Sequence, residues 1–316
     1  MLELHLGPRP IIPDRYLLVD ADPIAYYAAF NMDEAPVEAT HRRVDERIST
    51  IFNQCQVRVG DTGKSSLWLT GEANFRNNIC TLKQYKGDRY DADGKRIKVQ
   101  PRWIKAAKDY LVTNYNARTS MGCEADDMLG IAMKQVMTSK KSYGVTHVVI
   151  STVDKDLRIN YCMHHNQTHG VIDSVYPPGE LHLDSKGKPR GSGELFFYYQ
   201  MLCGDTTDWI PGLPVVSKDT AIRLYKHGVS VRPGKCGPIT AFNILSGAKT
   251  AKQAEELVWG CYKDYWMHND YCHWKTGERY KRGIETARQQ FIEQGQLLWM
   301  QQEVGERWKP RYVEMV

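Results

Sequence analysis

Carboxylates recur in four short clusters along the chain, Asp20/Asp22, Glu124-Ala-Asp126-Asp127, Asp154-Lys-Asp156 and Asp205-Thr-Thr-Asp208. Like charges within a few ångströms cannot all stay ionised unaided, whereas hard divalent cations take oxygen ligands and neutralise them. Acids gathered in this way point to magnesium chemistry, and the reaction they suit is hydrolysis of a phosphodiester. Each cluster also has a plainer explanation. Asp20 and, better placed, Asp22 could cap a helix starting near Pro23, and Glu124, Asp126 and Asp127 complement the dipole of the helix they open. On that helix Glu124 and Asp127 share a face at i, i+3, whereas Asp126 joins them only if the first turn is bent. Asp154 and Asp156 flank Lys155 and face the same way. Asp205 and Asp208 precede Trp209-Ile-Pro-Gly212, a turn set by Pro and Gly.

The positions of the acids follow from the elements around them. Tyr16–Asp20, Ser66–Thr70 and His147–Thr152 are short apolar runs, read as strands buried on both faces of a parallel sheet that helices cover. Ligands in open sheets sit beyond the carboxyl ends of the strands, where Asp20, Asp154 and Asp156 fall. Helices are expected over Asp45–Val57, Pro101–Tyr115, Glu124–Val136, Ser192–Leu202 and Lys218–His227, with mixed helix and turn after Asp264. Residues 160–191 read as a hairpin or insertion.

With 316 residues, 42% of them hydrophobic, the chain is long enough for two domains, each with its own core. A net charge of +5 is too small to prove a nucleic-acid partner by itself. Lys and Arg nevertheless dominate residues 76–108, which suggests a basic wall beside the acids. The first eight residues lack the basic start and long apolar run of a signal peptide, and no stretch approaches a membrane span, so a cytoplasmic protein is expected. Eight scattered cysteines without a Cys-x-x-Cys pair fit reduced thiols. Cys261, His268, Cys272 and His273 match no common zinc spacing and are expected to hold no metal.

Leu17-Leu-Val-Asp-Ala-Asp22, Tyr85-Lys-Gly-Asp-Arg89, Glu124-Ala-Asp-Asp127, Ser151-Thr-Val-Asp-Lys-Asp156 and Gly204-Asp-Thr-Thr-Asp-Trp-Ile-Pro-Gly212 occur in that order. Together they resemble the 5′-to-3′ exonuclease and flap endonuclease family, in particular its bacteriophage members. The resemblance implies an α/β fold, a PIN-like parallel-sheet nuclease core over residues 1–200 with a helical arch at about 76–118. Residues 201–316 would carry a helical helix-three-turn-helix subdomain, looking like Gly204–Gly228, and a C-terminal helical region. Asp20, Glu124, Asp126, Asp127, Asp154, Asp156, Asp205 and Asp208 match the family's metal-site acids, with Asp20, Asp127 and Asp154 central to catalysis. Two Mg2+ ions, with Mn2+ substituting, would activate water and stabilise the leaving oxygen, giving 5′-phosphate and 3′-hydroxyl ends. One family acid is missing, since Gly71 stands in its place with Glu72 adjacent.

Lys86 and Arg89 match the family's Tyr-Lys-x-x-Arg, whose cations approach the scissile phosphate. Arg76, Lys83, Tyr85 and Tyr90 add phosphate contacts and stacking surfaces. Gly212, Ser217 and Lys218 would meet duplex phosphates, although Gly212-Leu-Pro-Val-Val-Ser217 departs from the family's glycine-rich hairpin and puts a K+ site there in question. The implied partner is DNA with 5′ ends, flaps or RNA-primed strands, met by a monomer in phage replication or primer removal, in the host cytoplasm. Two other readings compete. Asp20-Ala-Asp22 also resembles haloacid-dehalogenase phosphatases, with Asp20 as covalent nucleophile, and Gly71 would suit a non-catalytic, structure-specific DNA-binding protein.

Overall fold

The computed structural model describes residues 9–91, 93–139 and 144–315. The expectation for the first eight residues therefore lies outside the described residues. The chain divides into two compact units. The first takes Met1–Asn74, Lys98–Val175 and Met300–Val304, and the second takes Phe75–Ile97, Tyr176–Trp299 and Gly305–Val316. These units interleave along the chain, whereas the sequence suggested one cut at residue 200.

The first unit is a three-layer α/β structure. Strands β1 (Tyr16–Asp20), β2 (Ser65–Leu69), β3 (Arg118–Thr119), β4 (Val148–Thr152), β5 (Met163–Asn166) and β6 (Ile172–Ser174) form one sheet in the order β3-β2-β1-β4-β5-β6. All pairings are parallel except β5 with β6, a hairpin at the sheet edge. Side chains alternate between the two faces, as the pleat requires. Leu17, Val19, Leu67, Leu69 and Val149 join one core with residues of α1 (Asp22–Ala29), α2 (Val37–Cys55) and α4 (Ile104–Tyr115). Leu18, Trp68, Val148 and Ile150 join the other with α5 (Ala125–Ser139). Each fully buried Leu or Ile contributes about 1.5–3 kcal/mol relative to exposure, which accounts for the sheet's place at the centre. The same alternation turns Asp20 and Thr152 toward the α5 face.

The second unit is mainly helical. It contains α3 (Arg76–Ile79), α6 (Gly193–Cys203), α7 (Lys218–Lys226), α8 (Pro238–Leu245), α9 (Ala251–Trp266) and α10 (Ile284–Leu298). Three small antiparallel pairs accompany them: β7 (Glu180–Leu183) with β8 (Pro189–Ser192), β9 (Val215–Val216) with β10 (Gly234–Lys235), and β11 (Tyr271–Cys272) with β12 (Arg279–Tyr280). Helix α6 is buried from Gly193 to Leu202 and forms the axis of this unit.

Some expectations need correction. Helix α2 starts eight residues before Asp45, because Thr40 and Val44 extend the buried stripe of Ile48, Ile51, Phe52 and Cys55 upstream to Pro36. No arch helix forms over Arg89–Trp103 among the described residues. After a short 3₁₀ turn at Gly87–Arg89, Tyr90 bridges Arg96, and helix resumes only at Ile104. No disulfide forms among the described residues, and none of their helices is long and apolar enough to cross a membrane.

Candidate active site

In the first unit the acids stand where strands end. Asp20 is the last residue of β1, 5% exposed, and one oxygen accepts the Thr152 hydroxyl at 2.9 Å while the other accepts the Asp22 amide at 3.3 Å. Thr152 in turn accepts the Asp154 amide at 2.9 Å, and Asp154 accepts the Asp156 amide at 2.8 Å. One threonine thus ties the carboxyl ends of neighbouring strands β1 and β4 to the acidic loop that follows. Burial, followed by the charges of Asp22 and Asp154, pushes the Asp20 carboxyl up to about 7. Charge therefore accumulates at the strand ends, which is what a hard cation relieves.

Asp22 is not a cap. Ala21 occupies that position without a side-chain bond, and the Asp22 carboxylate instead accepts the Thr70 amide at 2.8 Å and the Lys108 ammonium at 2.5 Å, joining the start of α1 to α4 and to the residue after β2. The Thr70 hydroxyl accepts the Ala125 amide at 3.1 Å, fixing the start of α5 to the end of β2. Glu124 lies just before this helix, buried, and Asp126 is half-buried in its first turn.

Asp127 differs from its neighbours. It is 0% exposed, and its two oxygens accept the amides of Glu124 at 3.1 Å and of Gln301 at 3.0 Å. The first bond is half of a capping box, which explains an acid three positions after the cap. Expected as a catalytic ligand, Asp127 anchors backbone in the structure through these two bonds.

Gly71 leaves no room for a side chain where the resemblance would place a further acid. A Cβ there would lie 2.2 Å from the Ser120 carbonyl and 2.6 Å from Thr119 Cγ2, and β3 occupies the space a side chain needs. Glu72, the suggested substitute, is exposed.

In the second unit Asp208 pairs with two cations of the 83–89 segment, Lys86 and Arg89. It accepts the Tyr85 hydroxyl at 2.7 Å, pairs with Arg89 at 3.1 Å and with Lys86 at 3.4 Å, and its carbonyl accepts the Lys86 amide. Lys86 sits at φ 52°, so this turn is held by tertiary contacts rather than by local preference. Lys83 lies 3.9 Å above the Trp209 ring. Asp205, buried, accepts the Thr207 amide at 2.6 Å and the Asp208 amide at 3.4 Å, which shapes the turn. Gly204 and Gly212 close that turn backbone on backbone. They adopt φ +73° and +65°, and a Cβ on Gly212 would lie 2.3 Å from the Gly204 nitrogen.

Three expected DNA contacts are corrected. Arg76 is 1% exposed and its guanidinium donates to the carbonyls of Leu297 at 2.9 Å and Trp299 at 2.7 Å. Tyr85 is buried with its hydroxyl on Asp208, so it offers no stacking face. The Gly212 amide is already given to Gln294 at 3.1 Å. Lys218 is exposed at the start of α7, and Ser217 caps that helix by accepting the Thr220 amide at 3.0 Å.

Among the described residues, no three His, Cys, Asp or Glu side chains already stand as a metal-binding group. In the Cys261, His268, Cys272 and His273 set, burial pushes the Cys261 thiol up to about 12. The strand-end acids fit hard cations by donor type, while their side chains are turned onto amides, hydroxyls and Lys108. Sequence reasoning missed Thr152, Thr70 and Lys108. Only the threonine two residues before Asp154 carried a local signal, that of a side-chain-to-backbone turn.

No family model matches the chain. DNA polymerase I of Bacillus subtilis (strain 168) is 26% identical over 251 residues, 77% of this chain, which spans 26% of that protein's length. T5 5′-exonuclease with bound divalent metal ions (zinc) aligns at TM-score 0.53 and 15% identity over 90% of this chain and 89% of that one. T5 flap endonuclease in a pseudo-enzyme-product complex with DNA and metal ions aligns at TM-score 0.48 and 16% identity, over 78% and 88% respectively. Parallel strands ending in acids, helices on both faces and alignment over nine-tenths of its length (90%) give this chain the PIN-like α/β fold of the T5 5′-exonuclease.

Proposed function

We propose that the protein is a magnesium-dependent 5′-to-3′ exonuclease and flap endonuclease acting on DNA, leaving 5′-phosphate and 3′-hydroxyl ends. The observation that carries this reading is the gathering of Asp20, Asp22 and Asp154 at the carboxyl ends of adjacent parallel strands, where burial and mutual repulsion push Asp20 up to about 7. The fold shared with T5 5′-exonuclease, whose solved structure has bound divalent metal ions, supports it. Asp20, Glu124, Asp126, Asp154 and Asp156 would hold the cations. When bound, these ions supply an activated water and charge stabilisation for the leaving oxygen.

The chain's own residues do the rest. The Thr152 hydroxyl holds Asp20 against the Asp154 loop, and Asp127 holds the start of α5 so that Glu124 and Asp126 keep their place. Lys86 and Arg89, oriented by Asp208, supply positive charge for phosphoryl oxygens. Tyr90, exposed, offers the stacking face that Tyr85 does not.

Asp154→Asn tests the reading with 5′-labelled flap and duplex DNA. Cleavage is expected to fall roughly a hundredfold or more, with DNA affinity little changed. Undiminished cutting refutes the assignment. A wild-type protein that binds flaps tightly yet leaves them intact in Mg2+ and Mn2+ is instead a structure-specific binder.

A further inference from the structure

The hairpin formed by β11 and β12 lies outside the chemistry described above, yet it is built to present a surface. Trp274 is 39% exposed, although an indole is costly to leave in water. Its ring is nevertheless tethered. The indole Nε1–H donates to the Cys80 carbonyl at 3.0 Å, and the Trp274 amide donates to the Thr81 carbonyl at 2.9 Å. An exposed aromatic held by its polar edge keeps a face available at little entropic cost, which is how an unpaired base is received. The neighbouring His273 ring lies 6.4 Å away at 25°. Across the two strands Tyr271 and Tyr280 stack at 4.8 Å and 10°, stiffening the hairpin.

Charge favours the same ligand. Between residues 270 and 282 the chain carries Lys275, Arg279, Lys281 and Arg282 against Asp270 and Glu278. All four cations are exposed. Asp270 takes up Arg279 at 2.6 Å and the Arg282 amide at 2.7 Å, and Glu278 accepts the Tyr280 hydroxyl at 3.3 Å. No ion pair involves Lys275 or Lys281 among the described residues.

The hairpin is also mechanically joined to the basic segment of its own unit. The Thr81 hydroxyl meets the Tyr271 hydroxyl at 3.2 Å and the Glu293 carboxylate, which further accepts the amides of Thr81 at 2.8 Å and Leu82 at 3.4 Å. The two residues just before Lys83 are thereby held between the hairpin and α10, which links Trp274 to the residues that lead into the Lys83–Arg89 segment.

We propose that the β11–β12 hairpin is a second nucleic-acid contact, where Trp274 stacks an unpaired base and Lys275, Lys281 and Arg282 hold neighbouring phosphates of a single strand. This rests on the nuclease reading and adds a recognition element to it. The test uses the full chain with labelled oligothymidylate and, separately, a blunt duplex, binding being followed by fluorescence anisotropy at several salt concentrations. Trp274→Ala is expected to weaken oligothymidylate binding about tenfold. Because Trp274 also holds Cys80 and Thr81, the double variant Lys275→Ala/Lys281→Ala, which removes no anchor, is measured beside it. It is expected to lower the slope of log affinity against log salt by about 1.4, at roughly 0.7 for each single-strand phosphate that is no longer neutralised. Duplex binding is expected to stay within about twofold. Variants that bind oligothymidylate like the wild type overturn the proposal, and so does an equal weakening for duplex and single strand. Flap cutting by the wild type separates the two levels: if it persists while the variants bind normally, the hairpin proposal alone falls, and if the wild type neither binds nor cuts DNA, the nuclease reading falls with it.

Discussion

Replacing Asp127 by alanine removes a side chain from a place where no solvent reaches and two backbone amides point. The Glu124 and Gln301 N–H groups, at 3.1 and 3.0 Å, lose their acceptor at a buried site. Each buried donor left unsatisfied costs about 1–3 kcal/mol, so the variant is expected to be about 2–6 kcal/mol less stable. Asp127→Asn keeps one acceptor and presents an NH2 group to the other amide, so its destabilisation should fall near the lower end of that range. Asp154 is half-buried, and Asp154→Asn is expected to shift stability by less than about 1 kcal/mol. Urea unfolding followed by circular dichroism, in chelator so that no metal contributes, compares the three variants at unchanged slope. If Asp127→Ala unfolds within about 0.5 kcal/mol of wild type, the anchoring role is wrong and the carboxylate belongs with the ligands. The experiment separates two reasons for an acid at one motif position, since an anchor stabilises the empty protein and a metal ligand does not.

Acid should destabilise the first unit through two histidines. Burial holds the rings of His164 and His165 down to about 4, against 6.5 for an ordinary histidine. As pH falls the unfolded chain takes up protons first, so this stabilisation is complete above about 6.5 and is lost progressively down to about 4, at up to about 3 kcal/mol per residue. A urea midpoint that stays flat between pH 6 and 4 contradicts this. Mg2+ should stabilise the wild type by about 2.7 kcal/mol at a hundred times its dissociation constant, and Asp20→Asn should respond much less. Equal thermal shifts in the two proteins would place the cation elsewhere.

The strands and most helices were legible because their signals are local. Tyr16–Asp20 is observed with the bounds its apolar run suggested, and Ser66–Thr70 and His147–Thr152 shift by one residue. Two-sided burial of short strands leaves a mark that needs no knowledge of the rest of the chain. The acids at the carboxyl ends of β1 and β4 were legible for the same reason. Helix α2 was found short because its first two turns carry only Thr40 and Val44 as buried positions, a stripe whose meaning depends on the sheet it covers.

What each charged or aromatic side chain does was decided only by the tertiary structure. Arg76 and Lys218 are alike as cations in a sequence, yet one is buried on the carbonyls of α10 and Trp299 while the other is exposed. Asp127 and Asp154 each sit in an acidic motif, but only Asp127 meets two amides. Residue type sets which bonds a group can make. Which partners arrive depends on segments far apart in the chain, such as Gln301 beside Asp127 and Trp274 beside Cys80, and local sequence carries no record of them.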